Sequence, residues 1–191
     1  MNYTPVAKAL TVEQAVAALR QGKVIAYPTE AVWGLGCDPF NAEAVKTLLR
    51  LKRRPVEKGV ILVAADVEQL QPLLAAHLTQ EQLQRLKQPR ERPTTWLVPY
   101  DSERLPKWIS GEHDTVAVRI SSHPGVKALC KAAGMPIIST SANPQGCQPA
   151  KYDFQVRRYF HDQVMICRGQ LGKETRPSTI IDLQTGAIIR G

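Results

Sequence analysis

No stretch of this chain is apolar enough to span a bilayer as a helix. The longest run of pure aliphatics, Val60 to Ala65, falls far short of the ~20 apolar residues such a helix needs. The opening MNYTPVAKAL lacks the basic-then-apolar pattern of a secretory signal, so no membrane association is expected. Cysteine is scarce: Cys37, Cys130, Cys147 and Cys167 are irregularly spaced, with no C-x-x-C and no histidine at ligand spacing. A zinc site is therefore disfavoured, and free thiols in a reducing compartment, the cytoplasm, are expected. There is no Walker G-x-x-x-x-G-K-[ST], no G-x-G-x-x-G and no G-x-S-x-G elbow. Each of the four histidines is isolated, which leaves a hydrolytic triad little support. Internal repeats, low-complexity tracts and a dense basic arm are absent as well. Trp33, Trp96 and Trp108 lack the spacing of a base-stacking platform and read as core or rim residues.

What remains is a globular composition, 43% hydrophobic and 22% charged over 191 residues, in a single domain spanning residues 1–191 with no dividing linker. A chain of this size buries roughly 70% of its unfolded surface and needs no disulfide or metal staple. Lys and Arg outnumber Asp and Glu by 25 to 17, a net charge of +8. That excess favours an anionic partner, nucleotide or nucleic acid, although solubility alone accounts for it equally well.

Hydrophobic periodicity alternates between helix and strand. Thr11 with Gln14 reads as a capping box before Val12, Ala15, Val16 and Leu19, and Gly22 ends that helix. VIAYPT follows as a strand, and Asn41 then caps a helix with Val45, Leu48, Leu49 and Leu51 on its apolar face. GVILVAA (59–65) reads as a strand buried on both faces. Asp66 reads as the cap of a helix through Leu70, Leu73 and Leu74, and a further helix is expected around 79–87. Strands are expected at 94–100, 115–121, 136–142, 163–167 and 178–183, helices from Pro124 to Gly134 and near 152–160, and a loop at 101–114. The closing STIIDLQTGAIIRG looks like a hairpin. This alternation predicts an α/β fold with a twisted, mostly mixed open sheet and flanking helices.

Four places carry polar groups that a core does not need. YPTEAVWGLGCDP (27–39) leaves a strand and at once gathers Thr29, Glu30, Trp33 and two glycines; it reads as a loop that holds something. In LKRRPVEKG, Pro55 pushes Arg54 towards an extended conformation, so Lys52 and Arg54 can point one way and Arg53 the other. Two converging cations suit a polyphosphate; equally, cations at a helix C-terminus complement its dipole. In TVAVRIS, period two puts Thr115, Ala117, Arg119 and Ser121 on one face, which reads as a polar groove floor or as the wet face of an edge strand. In ISTSANPQG, Ser139, Ser141 and Asn143 form a row of hydrogen-bonding groups at a strand's end, or ordinary turn chemistry.

Taken together, YPTEAVWGLGCDP, KRRP, VAVRI, STSAN and RPSTIID resemble the YrdC family, the threonylcarbamoyl-AMP synthases, over almost the whole chain, in what looks like its short, single-domain form. The resemblance implies a twisted α/β sheet with a large, positively charged concave groove. It also implies a nucleotidyltransfer reaction: L-threonine and bicarbonate (or CO2) form N-carboxythreonine, which attacks the α-phosphate of ATP, usually with Mg2+ and with no protein-ligated metal. A separate threonylcarbamoyl transferase complex then passes the group to the adenosine beside the anticodon of tRNAs reading codons that begin with A. By the same resemblance Lys52 and Arg54 neutralise the ATP phosphates, Ser139, Ser141 and Asn143 hold ATP, Thr115 and Ser178 add weaker nucleotide contacts, and Thr29 and Arg119 position threonine. No general base is compelling, and the first loop walls the threonine site, with Gly34 and Gly36 permitting close backbone approach.

The chain departs from the family where many members carry W-P-G-P-x-T. Here KQPRERPTT keeps Pro93 and Thr95 but lacks the Trp and Gly, and Arg90 and Arg92 are expected to add groove charge. The alternative from another class is a non-catalytic RNA-binding or ribosome-maturation protein gripping a phosphate backbone, whose affinity would fall steeply with salt.

Overall fold

The computed structural model describes residues 9–74 and 78–191; most of the N-terminal stretch read for a signal lies outside them. Helix α1 (Val12–Arg20) starts at the reciprocal Thr11/Gln14 capping box, and α2 (Ala42–Lys52) starts where the Asn41 side chain accepts from the Ala44 amide. α3 spans Gln80–Lys87 and α4 Lys107–Ser110. α5 (Pro124–Ala133) opens on Pro124 and closes on Gly134 at φ +73, the left-handed C-cap that glycine adopts without a Cβ penalty. α6 is Asp153–Phe160.

The strands are β1 (Ile25–Pro28), β2 (Trp33–Gly36), β3 (Ile61–Ala64), β4 (Thr94–Pro99), β5 (Thr115–Ile120), β6 (Ile137–Ser141), β7 (Met165–Ile166), β8 (Thr179–Asp182) and β9 (Ile188–Arg190). They form one mixed sheet in the order β7-β1-β2-β6-β3-β5-β4-β8-β9. Pairs β1/β7, β3/β5 and β4/β8 are parallel and the rest antiparallel, including the closing β8/β9 hairpin.

Alternation along the strands divides the core. Ala26, Leu35, Leu62, Val118 and Ile138 point to the face that packs on α2 and α6 through Val45, Leu48, Val156 and Phe160. Ile25, Tyr27, Val63 and Ile137 point to the opposite face, beneath α1 and α5. Register carries that second face onward as a row, with Ile61 opposite both Ser139 and Ala117, and Ala117 opposite Leu97. All four residues of this row line a groove, with Ile61 also packing against the edge of the core.

Three expectations are corrected. Residues 33–36 are a strand paired on both sides, not a loop, because its hydrophobic set Trp33, Leu35 and Cys37 faces the core. The helix expected after Asp66 shrinks to a 3-10 turn at Gln71–Leu73. Asp66 does accept from the Gln69 amide at 3.2 Å, but Pro72 lacks an N–H and disfavours helical geometry at Gln71. The stretch 101–114 is not all loop, since α4 lies within it. The four thiols are free, with burial pushing Cys37, Cys130 and Cys167 up to about 12 while Cys147 is exposed. Trp33 and Trp96 are buried, and Trp108, partly buried, donates to the Pro39 carbonyl. Among the described residues no helix is long and apolar enough to cross a membrane.

Candidate functional site

The groove encloses about 770 Å³, within the range of small-molecule sites. Its floor is the polar face of β5, with Thr115, Ala117 and Arg119, beside Thr95 of β4 on one side and Ile61 of β3 on the other, beyond which lie Ser139 and Ser141 of β6. β5 lies between β3 and β4, so this polar face is not an edge strand turned to water. Residues 29–34, 58–61, 148–151 and 175–178 contribute walls. The lining carries six cationic side chains, Arg54, Lys58, Arg119, Lys151, Arg176 and Arg190, against a single carboxylate, Glu30.

Arg119 is fixed rather than mobile. Its Nε and Nη2 donate to Thr95 Oγ1 at 3.2 and 3.1 Å, and Nη2 donates to Ser178 Oγ at 2.8 Å. The two hydroxyls are themselves 2.9 Å apart. Burial lowers the guanidinium's pKa and Glu30 opposes that shift; an arginine remains charged in any case. The guanidinium is thereby held by neutral hydroxyls, with no carboxylate bonded to it.

Lys52 and Arg54 do converge, but not by strand alternation. Lys52 ends α2, and Arg53 takes a left-handed conformation, φ 53 and ψ 42, as its C-cap. This geometry is uncommon for a residue with a Cβ, and here it turns the chain so that both neighbours line a second, smaller cavity of about 280 Å³ with Lys58, Ser141 and Asn143. Lys52 Nζ donates to the Ser141 carbonyl, to the Asn143 carbonyl at 2.9 Å and to Ser141 Oγ at 3.4 Å. Burial, then the Arg54 charge, pulls its pKa down to about 8. Arg54 donates to the Gly59 and Lys58 carbonyls at 3.0 Å each. Asn143 spends its amide hydrogens on the Pro144 and Cys147 carbonyls, and its buried Oδ1 has no partner.

Thr29 lies on the groove wall, its hydroxyl donating to the Val32 carbonyl at 2.7 Å. Gly34 and Gly36 serve the sheet. A Cβ on Gly36 would stand 2.5 Å from the Ile138 carbonyl and 2.8 Å from the Tyr27 ring. Their missing side chains therefore leave room for Tyr27 to lie across β2.

Thr29, Lys52, Arg54, Thr115, Arg119, Ser139, Ser141, Asn143 and Ser178 thus each line one of two neighbouring cavities that share Arg54, Lys58 and Ser141. Sequence reading gave no site role to Glu30, Lys58, Thr95, Arg176 or Arg190, all of which line the groove. Thr95 and Ser178 are far apart in the chain and meet only through the parallel β4/β8 pairing, which local pattern does not reveal. Arg90 and Arg92 do not line the groove. Arg90 sits 5.0 Å over the Trp96 ring and Arg92 reaches the Pro177 carbonyl. Among the described residues no group of three or more His, Cys, Asp or Glu could hold a metal ion.

Comparison with known proteins identifies the family and the fold. The chain is 54% identical over 170 residues, 88% of its length and 89% of the relative's, to the threonylcarbamoyl-AMP synthase of Marinobacter nauticus. The crystal structure of P. abyssi Sua5 complexed with L-threonine superposes with a TM-score of 0.81 at 31% identity, covering 90% of this chain and 50% of that one. The present chain therefore spans about half of that longer protein. E. coli YciO gives a TM-score of 0.78 at 25% identity over 96% of this chain and 95% of that one. The Sua5/YciO/YrdC family profile, described as "Telomere recombination", matches residues 17–191, and the chain belongs to this family.

Proposed function

We propose that this chain is a threonylcarbamoyl-AMP synthase, a single-domain nucleotidyltransferase that converts L-threonine, bicarbonate or CO2, and ATP into threonylcarbamoyl-AMP and diphosphate. The observation that carries the reading is the convergence of five separated sequence segments on one groove, in a chain 54% identical to a synthase of that name. The chemistry asks for three things: a seat for an amino-acid carboxylate, cations for a triphosphate, and shelter for a labile carbamate.

Arg119, pre-set by Thr95 and Ser178, keeps Nη1 to offer charge-assisted bonds to the threonine carboxylate, with Thr29 also on the groove wall. Lys52 and Arg54, joined by Lys58, take the phosphates. As the carbamate carboxylate attacks the α-phosphorus, negative charge grows on the phosphoryl oxygens and the departing diphosphate, and fixed cations stabilise that build-up. Ser139, Ser141 and Thr115 supply hydroxyls along the nucleotide, while Asn143 shapes the loop whose carbonyl holds Lys52. The carbamate is already an anion, so alignment and charge neutralisation suffice at the adenylation step. A walled groove also limits water, which would destroy the carbamate and the mixed anhydride. Mg2+ enters with ATP as its counter-ion. The product passes to a separate transferase complex that modifies the adenosine beside the tRNA anticodon, in the cytoplasm where free thiols persist.

The test is diphosphate release from ATP and Mg2+, with threonine and bicarbonate omitted in turn, in the wild type and Lys52→Ala. Release that needs both small substrates and falls at least 100-fold in the variant is expected. Release indifferent to threonine, or salt-sensitive RNA binding with no release, would transfer the groove to the RNA-binding alternative.

A further inference from the structure

Glu30 is the one carboxylate in a groove otherwise furnished for anions, and it is only 7% exposed. Its Oε1 accepts from Ser121 Oγ at 2.6 Å, from the Ser122 amide at 3.2 Å and from the His123 amide at 3.4 Å. Oε2 takes no hydrogen bond among the described residues. Burial alone would raise the pKa of this carboxyl, but these bonds and the Arg119 charge outweigh it and hold it below the ordinary value. The group is therefore an anion at neutral pH. Arg119 is close enough to act on it electrostatically, yet the Arg119 donors go to Thr95 and Ser178. An anion and a cation thus line the same groove, coupled through space and not joined by a bond.

We propose that Glu30, through Oε2, receives the α-ammonium group of the amino-acid substrate, so that Glu30 and Arg119 together recognise the zwitterion. The inference rests on the reading of this groove as the threonine site. Of the three substrates in that reading, ATP and bicarbonate are anions and threonine alone carries a cationic group, its ammonium; the Mg2+ that accompanies ATP is already paired with phosphate. The pairing also changes as the reaction proceeds. Threonine ammonium and bicarbonate yield the N-carboxylate, water and one proton, which leaves to solvent because Glu30 is held too acidic to keep it. The nitrogen has then lost its positive charge and carries a carboxylate that Glu30 repels, leaving the groove's cations as partners for the reacting group. Glu30 thereby holds the amino acid before carboxylation, and the groove's cations hold the carbamate for adenylation.

The competing explanation is purely structural: Glu30 only ties residues 121–123 to the Thr29 turn. Glu30→Gln separates the two, because an amide oxygen can still accept the three bonds made by Oε1. Calorimetry at pH 7 with the full chain would compare L-threonine with 2,3-dihydroxybutanoate of the same configuration, in which a hydroxyl replaces the ammonium. The wild type is expected to prefer threonine by at least tenfold. E30Q is expected to lose most of that preference by weakening threonine alone, and E30D, which keeps the charge, to retain it. A wild type that binds both ligands equally overturns the proposal without reference to any variant. So does an E30Q protein that weakens both ligands alike or neither. A wild type that binds neither ligand overturns the threonine reading itself.

Discussion

Lys52 ends α2 at 6% exposure, with its ammonium on two carbonyls and a hydroxyl and with Arg54 nearby. A cation desolvated in this way is a cost to the free protein. With a folded pKa of about 8 against 10.5 unfolded, the unfolded chain binds more protons between those values. Stability therefore rises as pH climbs from about 8 towards 10.5, and the full cost is present below 8. A phosphate placed beside Lys52 restores its charge and reverses the shift. ATP binding is accordingly expected to take up close to one proton near pH 9 and almost none near pH 6.5. Calorimetry in buffers of different ionisation enthalpy measures this uptake, and Lys52→Met should abolish it. Uptake that persists in the variant would place the titrating group elsewhere. Arg119 is a charge of a different kind, unable to titrate in this range and set in place by two hydroxyls.

At the scale of elements, β2 shows how packing overrides local appearance. Two glycines and a turn-rich neighbourhood suggest a loop, yet Gly34 and Gly36 pair with β1 and β6 and leave room for the Tyr27 ring. Gly36→Ala would drive a Cβ to 2.5 Å from a backbone carbonyl at the centre of the sheet. Overpacking of this kind costs about 1–3 kcal/mol. A fall in Tm of roughly 2–12 °C is expected by calorimetry, at about 2–4 °C per kcal/mol for a domain of this size. Gly134→Ala, where nothing lies within 4 Å of the added Cβ, should lose only the ~1 kcal/mol of a left-handed residue. Helix boundaries are legible at the caps Thr11, Asn41 and Gly134. The helix expected after Asp66 failed because a good cap met a proline six residues later.

At the scale of the whole molecule, the groove joins segments from both ends of the chain, Thr29 near one and Arg190 near the other. A ligand that bridges them binds only the folded state. At a hundred times its Kd it adds about 2.7 kcal/mol, which corresponds to a rise in Tm of roughly 5–10 °C at this chain length. A thermal-shift titration should show that rise with ATP, and a further increment when threonine and bicarbonate join it. An unmoved Tm at saturating ATP would contradict a nucleotide site that spans the sheet.

The sequence by itself determined the α/β class, the cap-marked helices, the closing hairpin and the alternation that puts Thr115, Ala117 and Arg119 on one face of β5. Each of these depends on neighbours within a few positions, where periodicity and capping chemistry act. Tertiary structure decided what those residues meet. It made β2 a strand by supplying partners on both sides, and it aimed Lys52 and Arg54 together through a left-handed Arg53 instead of an extended run. It brought Ser178 to Arg119 across 59 positions, and it left Glu30 as the only carboxylate among six cations. Strand order and groove charge arise from pairings between distant segments, and no local pattern encodes which distant segment will arrive.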